Sequence, residues 1–133
     1  MKQLVVSLFI SLSLATPASS ENDNDITDCA DFILLAQDIE ADGVRMIDEV
    51  TEFVETTVSC PLKTFTYFKR ALIIEEQLPD NWKQLKQAGH TEVHCSDGGF
   101  ASTFGWTAID IIYDVDFQYL GTLATSPSDC TSP

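Results

Sequence analysis

Cationic side chains are scarce. The 133-residue chain carries seven Lys or Arg against 21 Asp or Glu, a formal net charge of −14. No basic residue follows Lys86, and between residues 21 and 60 Arg45 stands alone against twelve acids. Phosphate contacts need clustered cations, so the composition argues against nucleic-acid binding. A solvated, self-repelling surface is one consequence of such a balance. Attraction for a basic extracellular partner, or for a cation, is another.

Other absences narrow the field further. No apolar run reaches the roughly 20 residues that a membrane span requires. No Asn stands two residues before Ser or Thr, so no N-glycosylation is expected. There is no G-x-S-x-G nucleophile elbow. Gly98-Gly99 lacks the Lys and the preceding strand of a phosphate loop.

The chain opens with Met1 and Lys2, an apolar run from Leu4 to Leu14, and small residues from Ala15 to Ser20. That is the pattern of a secretory signal peptide over 1–20, with cleavage after Ala18 or Ser20. Residues 21–133 then form a single secreted, extracellular domain, long enough for one core. Its four cysteines, Cys29, Cys60, Cys95 and Cys130, read as two disulfides in an oxidising compartment. Their wide spacing does not suit zinc, which favours close pairs.

The periodicity from Cys29 to Cys60 predicts one amphipathic helix. Cys29, Ile33, Ala36, Gly43, Ile47, Val50, Val54 and Thr57 make a seam, and acids fill the opposite face. Asp25 or Thr27 would cap its start. Gly43 either breaks this helix or lets a neighbour approach, and its place on the seam favours close approach. Pro61 ends the element. Leu62 to Leu78 reads as a second helix, although Thr64 to Phe68 has the composition of a strand. Pro79 stops it. Trp82, Leu85 and Ala88 line a short third helix, closed by Gly89. Residues 89–99 read as a loop.

Residues 100–125 fit two patterns. Ile109, Ile111, Tyr113, Val115, Phe117 and Tyr119 alternate as a strand does, while Phe104, Ala108, Ile111, Val115, Tyr119 and Leu123 trace a helix face. In so helical a reading a long strand would lack partners, so helix is preferred. The expected fold is an all-α, disulfide-stapled bundle. Cysteines at opposite ends of one helix cannot meet. That leaves Cys29–Cys130 with Cys60–Cys95, preferred for an up-down-up-down bundle, or Cys29–Cys95 with Cys60–Cys130.

The functional expectation is a secreted, non-enzymatic binding protein acting through its surface or an apolar cavity. It would carry a lipophilic ligand between its first and last helices, signal through a receptor, or act as an effector. The alternative is a small hydrolase using His90 or His94 as the base for a nucleophile. The same two histidines, with Asp97, are the candidate metal ligands, because His90 and His94 share a helix face at a spacing used by zinc. They lie in an expected loop, where solvated side chains are the plainer reading. Asp110, Asp114 and Asp116 are a further candidate cation cluster. No cofactor is implied.

Overall fold

The computed structural model describes the backbone of residues 17–130 and side chains from residue 28 onward. The expected signal peptide lies outside the described residues apart from Pro17–Ser20, which begin a helix. The chain divides into two compact units, residues 1–31 and 32–133. Helix α1 (Pro17–Ala41) runs through that boundary. The second unit contains β1 (Arg45–Met46), β2 (Thr51–Ser59), β3 (Thr64–Ala71), α2 (Trp82–His94), β4 (Thr107–Tyr113) and β5 (Tyr119–Thr125).

These strands form a five-stranded mixed sheet in the order β1-β2-β3-β4-β5. All neighbours are antiparallel except β3 and β4, which run parallel and are joined by the α2 crossover. This overturns the expected all-α bundle. The 29–60 rod fails at Gly43, which adopts φ +75°, the left-handed conformation in which helices commonly end. Arg45 finishes that end: its Nη1 donates to the carbonyls of Ile39 and Gly43 at 3.0 and 3.1 Å, and its guanidinium stacks 4.8 Å above Phe53. Beyond it, Thr51, Val54, Thr56, Thr57 and Val58 are β-branched residues that favour a pleated surface.

The second and last expected helices are strands as well. Phe65 and Ala71 are buried on β3, alternating with residues on the other face. The run from Ile109 keeps a period of two only as far as Tyr113; Val115 and Phe117 fall in the turn before β5. The missing partners are β3 and β5, with the turn between β4 and β5 built by Asp114. Its Oδ1 accepts from the N–H groups of Asp116 and Gln118 at 2.8 and 2.9 Å. Asp114 is thus engaged as a turn former, and Asp110 lies on β4 beside Lys69. The Asp110–Asp114–Asp116 cation cluster does not form.

One face of the sheet carries the core. Phe32 of α1 meets the rings of Phe65, Phe100, Phe104 and Trp106 at centroid distances of 6.1, 4.9, 5.2 and 4.6 Å. Trp106, Phe65 and Thr125 are fully buried. Helix α2 covers the β4–β5 half of the same face, where a Cβ on Gly121 would strike the side chains of Trp82 and Lys83. Phe68, Arg70, Ile109, Ile111 and Tyr113 point to the other face by strand alternation. Among the described residues of this unit, no helix covers them.

The cysteines pair differently from expectation. Cys95 bonds Cys130, with Cα atoms 5.2 Å apart, which excludes both connectivities expected above. The reason is the β4–β5 hairpin, which returns the chain to the end of α2 instead of carrying it away along a helix. Cys29 and Cys60 are also disulfide-bonded, and no described cysteine is free. Because α1 stops at Ala41, these two do not bracket a single rod.

Candidate functional site

The sequence places the functional interest on the two histidines, and the structure moves them inward. Helix α2 does not close at Gly89 but continues to His94. Glycine in a helix interior costs about 1 kcal/mol relative to Ala, and here docking of the helix on the sheet outweighs it. His90 and His94 therefore leave the expected loop and occupy the last turns of α2, with ring centroids 4.4 Å apart. Asp97 follows the helix, is exposed, and joins no cluster with them. No group of three His, Cys, Asp or Glu able to hold a metal ion exists among the described residues.

What the histidines meet instead comes from the sheet. His90 Nδ1 lies 2.7 Å from Thr125 Oγ1 on β5, and its Nε2 lies 3.7 Å from Asp110 Oδ1 on β4. The other oxygen of Asp110 accepts from Lys69 Nζ of β3 at 2.7 Å. Three strands and a helix thus converge on one polar cluster within the apolar layer. Lys69 also sits 5.4 Å from the centroid of the Tyr67 ring.

Electrostatics follow from this crowding. Burial pushes the Asp110 carboxyl upward, but the nearby His90 ring and the hydrogen bond and charge of Lys69 outweigh it and hold the group below its ordinary value. His94 is held below the usual histidine value, first by burial and then by repulsion from His90, with Asp110 opposing and Lys69 adding slightly. Burial, reinforced by Asp110, pushes the Tyr67 hydroxyl above its usual value.

Thr125, His90 and Asp110 have the order of a nucleophile, a base and an orienting acid. The geometry does not suit catalysis. Thr125 is 0% exposed and His90 only 7%, so no substrate carbonyl can approach the hydroxyl. The Nε2–Asp110 separation exceeds hydrogen-bond length. His90 is better described as a bridge between α2 and the sheet. Its Nε2 and the Nδ1 of His94 are buried without a hydrogen-bond partner.

Alongside this cluster runs a trough with an apolar and a polar end. The apolar end, about 320 Å³, is lined by Val50, Ile73, Leu78, Trp82, Ile112 and Leu120 among others. The polar end, about 480 Å³, is lined by Lys69, Lys86, His90, His94 and Asp110 with Leu85 and Val93. Lys69, Lys86, Asp110 and Leu123 line both, so the two hollows adjoin along a shared wall. Its rims carry exposed apolar side chains, Ile47 and Val50 on one side and Leu85 and Val93 on the other. Sequence reasoning placed an apolar cavity between the first and last helices. With the last segment folded as strands, that cavity does not exist, and the hollow lies beside α2.

No protein-family model matches the chain, and no curated protein matches it. Solved structures do share its fold. One is a protein of Pseudomonas aeruginosa assigned as secreted, at 14% identity and a TM-score of 0.63, spanning 80% of this chain and 96% of its own. Another is EpsS, the pilotin of the Vibrio vulnificus type 2 secretion system, at 9% identity and a TM-score of 0.59, spanning 87% and 99%. At such identities the similarity is one of fold alone, with proteins of otherwise different sequence.

Proposed function

We propose that this chain is an exported, non-catalytic binding protein that holds an apolar ligand in the trough beside α2. The observation that carries the reading is the trough itself. Its apolar walls and exposed apolar rims lie on a protein whose surface is otherwise strongly acidic. Its size and its mix of apolar lining with a few convergent polar groups are those of small-molecule sites. Export is supported by the signal-like start, by the paired cysteines, and by the secreted and secretion-system proteins of like fold.

Native mass spectrometry of the protein from its own secretion, before and after organic extraction, tests this. The expected result is a discrete additional mass that extraction removes, with an apolar dye then entering the emptied trough. A clean polypeptide mass together with no dye binding would overturn the reading. The pilotin-like fold supports a second one, an accessory role in a secretion assembly. Under it, deleting the gene lowers export of other proteins while the purified chain carries no ligand.

A further inference from the structure

Charge is matched within the trough, although the surface around it is acidic. The carboxylates and amines that line its two ends are Asp48, Asp110, Lys69 and Lys86. Lys69 and Asp110 meet at 2.7 Å in the interior, while Asp48 and Lys86 are exposed at the rim. Asp48 lies between β1 and β2, where its Oδ1 accepts the Val50 N–H at 2.8 Å. That bond is the main reason its carboxyl is held below the ordinary value, and the Lys86 charge on α2 adds to it.

A rim of this kind decides what can enter. Beside Asp48, Ile47 and Val50 present apolar side chains, each 46% exposed. The walls behind them include Ile73, Trp82, Ile112 and Leu120. A charge carried onto those walls loses its water and meets no unmatched partner, because Lys69 is taken by Asp110 and Lys86 is balanced by Asp48. The ring nitrogens of His90 and His94 that lack partners are buried and offer a ligand no surface. Lys86 is the rim cation that would draw an anion in, and the neighbouring carboxylate cancels that attraction. An uncharged molecule meets neither obstacle.

We propose that Asp48 is a specificity-determining residue, which cancels the Lys86 charge at the rim and reserves the trough for uncharged apolar ligands over carboxylate-bearing ones. The proposal rests on the trough being a ligand site and names the class of ligand it takes. The ligand lies against the apolar walls, and its recognition is by shape and dryness instead of by an ion pair.

Calorimetric titration of the extracted, folded protein at low ionic strength tests it with three compounds of one ring body, naphthalenemethanol, naphthoate and naphthylmethylammonium. The alcohol should bind about tenfold more tightly than either ion. Asp48→Asn keeps an oxygen for the Val50 N–H and removes only the charge. It should raise naphthoate affinity by about three- to tenfold, a gain that shrinks in high salt, and leave the alcohol unchanged. Lys86→Gln should instead raise the affinity of the ammonium compound. Equal binding of the alcohol and naphthoate, or no gain for naphthoate in Asp48→Asn, overturns the selectivity while leaving the trough as an apolar site. An apolar dye that enters where none of the three compounds binds overturns it too. If neither the dye nor any compound binds, the binding reading itself falls and the selectivity with it.

Discussion

Lys69 Nζ and Asp110 Oδ2 lie 2.7 Å apart across the only parallel strand pair of the described sheet. The residues are 41 positions apart in sequence, and the α2 crossover is what brings them together. Asp110 is 6% exposed, so removing it leaves a lysine without compensation in a largely dry place. Asp110→Ala is expected to destabilise the fold by about 3–5 kcal/mol. Replacing both residues with apolar ones of similar volume should cost far less. Chemical denaturation of the single and double variants checks this, and equal losses would contradict the pairing.

Acid should weaken the fold in two stages. His94 is held below the ordinary histidine value, so the unfolded chain takes up its proton first. Stability therefore falls as pH drops from about 6.5, the unfolded value. Asp110 is also held low, and its contribution, fully present above about 3.9, is lost as pH falls through its folded value. Melting temperatures across pH 7 to 3 should fall in both ranges. The His94→Gln variant should lose the first step and keep the second.

Gly89 faces open space: a Cβ there would meet nothing within 4 Å. Gly89→Ala should therefore raise stability by about 1 kcal/mol through helix propensity alone. The added methyl enters the wall of the polar hollow, which Gly89 lines. A variant that melts higher yet takes up an apolar dye less well would report both effects. Higher stability with unchanged binding would place the ligand elsewhere.

Helix side chains occupy open stretches of strand, on β2 beyond its two-residue pairing with β1 and on the edge strand β5. Glu40 Oε2 accepts the Thr56 N–H of β2 at 3.0 Å. Gln87 mimics a peptide group against Ala124 of β5, donating to its carbonyl at 2.9 Å and accepting its N–H at 3.2 Å. Unpaired strand edges template association. Gln87→Ala should cost about 1–2 kcal/mol for the lost bonds and introduce concentration-dependent self-association, read by sedimentation velocity. An unchanged sedimentation profile up to high concentration would show that the Gln87 contact is not a guard.

The sequence carried the breaks of the fold better than its elements. Pro61 and Pro79 do separate segments, and Trp82 does open a helix on the sheet. The apolar seam of α1 was misplaced. Phe32 and Ala36 are buried, while Ile33 is exposed, because a seam drawn through Gly43 to Thr57 imposed a helical phase on what is strand. Two periods, 3.6 and 2, share positions over short windows, and composition had to arbitrate. The β-branched run from Thr51 to Val58 and the alternation from Ile109 to Tyr113 held the deciding signal, although the same alternation also ran on through the turn at 114–118.

The candidate site was half legible. The spacing of His90 and His94 is that of one helix face, but the sequence points to a loop there, and it is the continuation of α2 to His94 that makes them a pair. Their partners were not visible, since Lys69, Asp110 and Thr125 come from three strands and gain meaning only through the sheet register. Lys86 falls off the Trp82–Leu85–Ala88 side of its helix and lines a hollow in the structure. No local pattern distinguishes such a lysine from a fully solvated one.

The Cys95–Cys130 bond closes a covalent ring around β4 and β5. A protease acting outside the cell, where the chain is proposed to work, meets an exposed turn around Asp116 and Phe117. Cutting there adds a water but frees no fragment, because β5 stays tethered through Cys130. Under non-reducing conditions the nicked protein would migrate as a single chain, and only reduction would release its carboxy-terminal piece. The ring therefore gives the hairpin a resilience to cleavage that its hydrogen bonds alone could not provide.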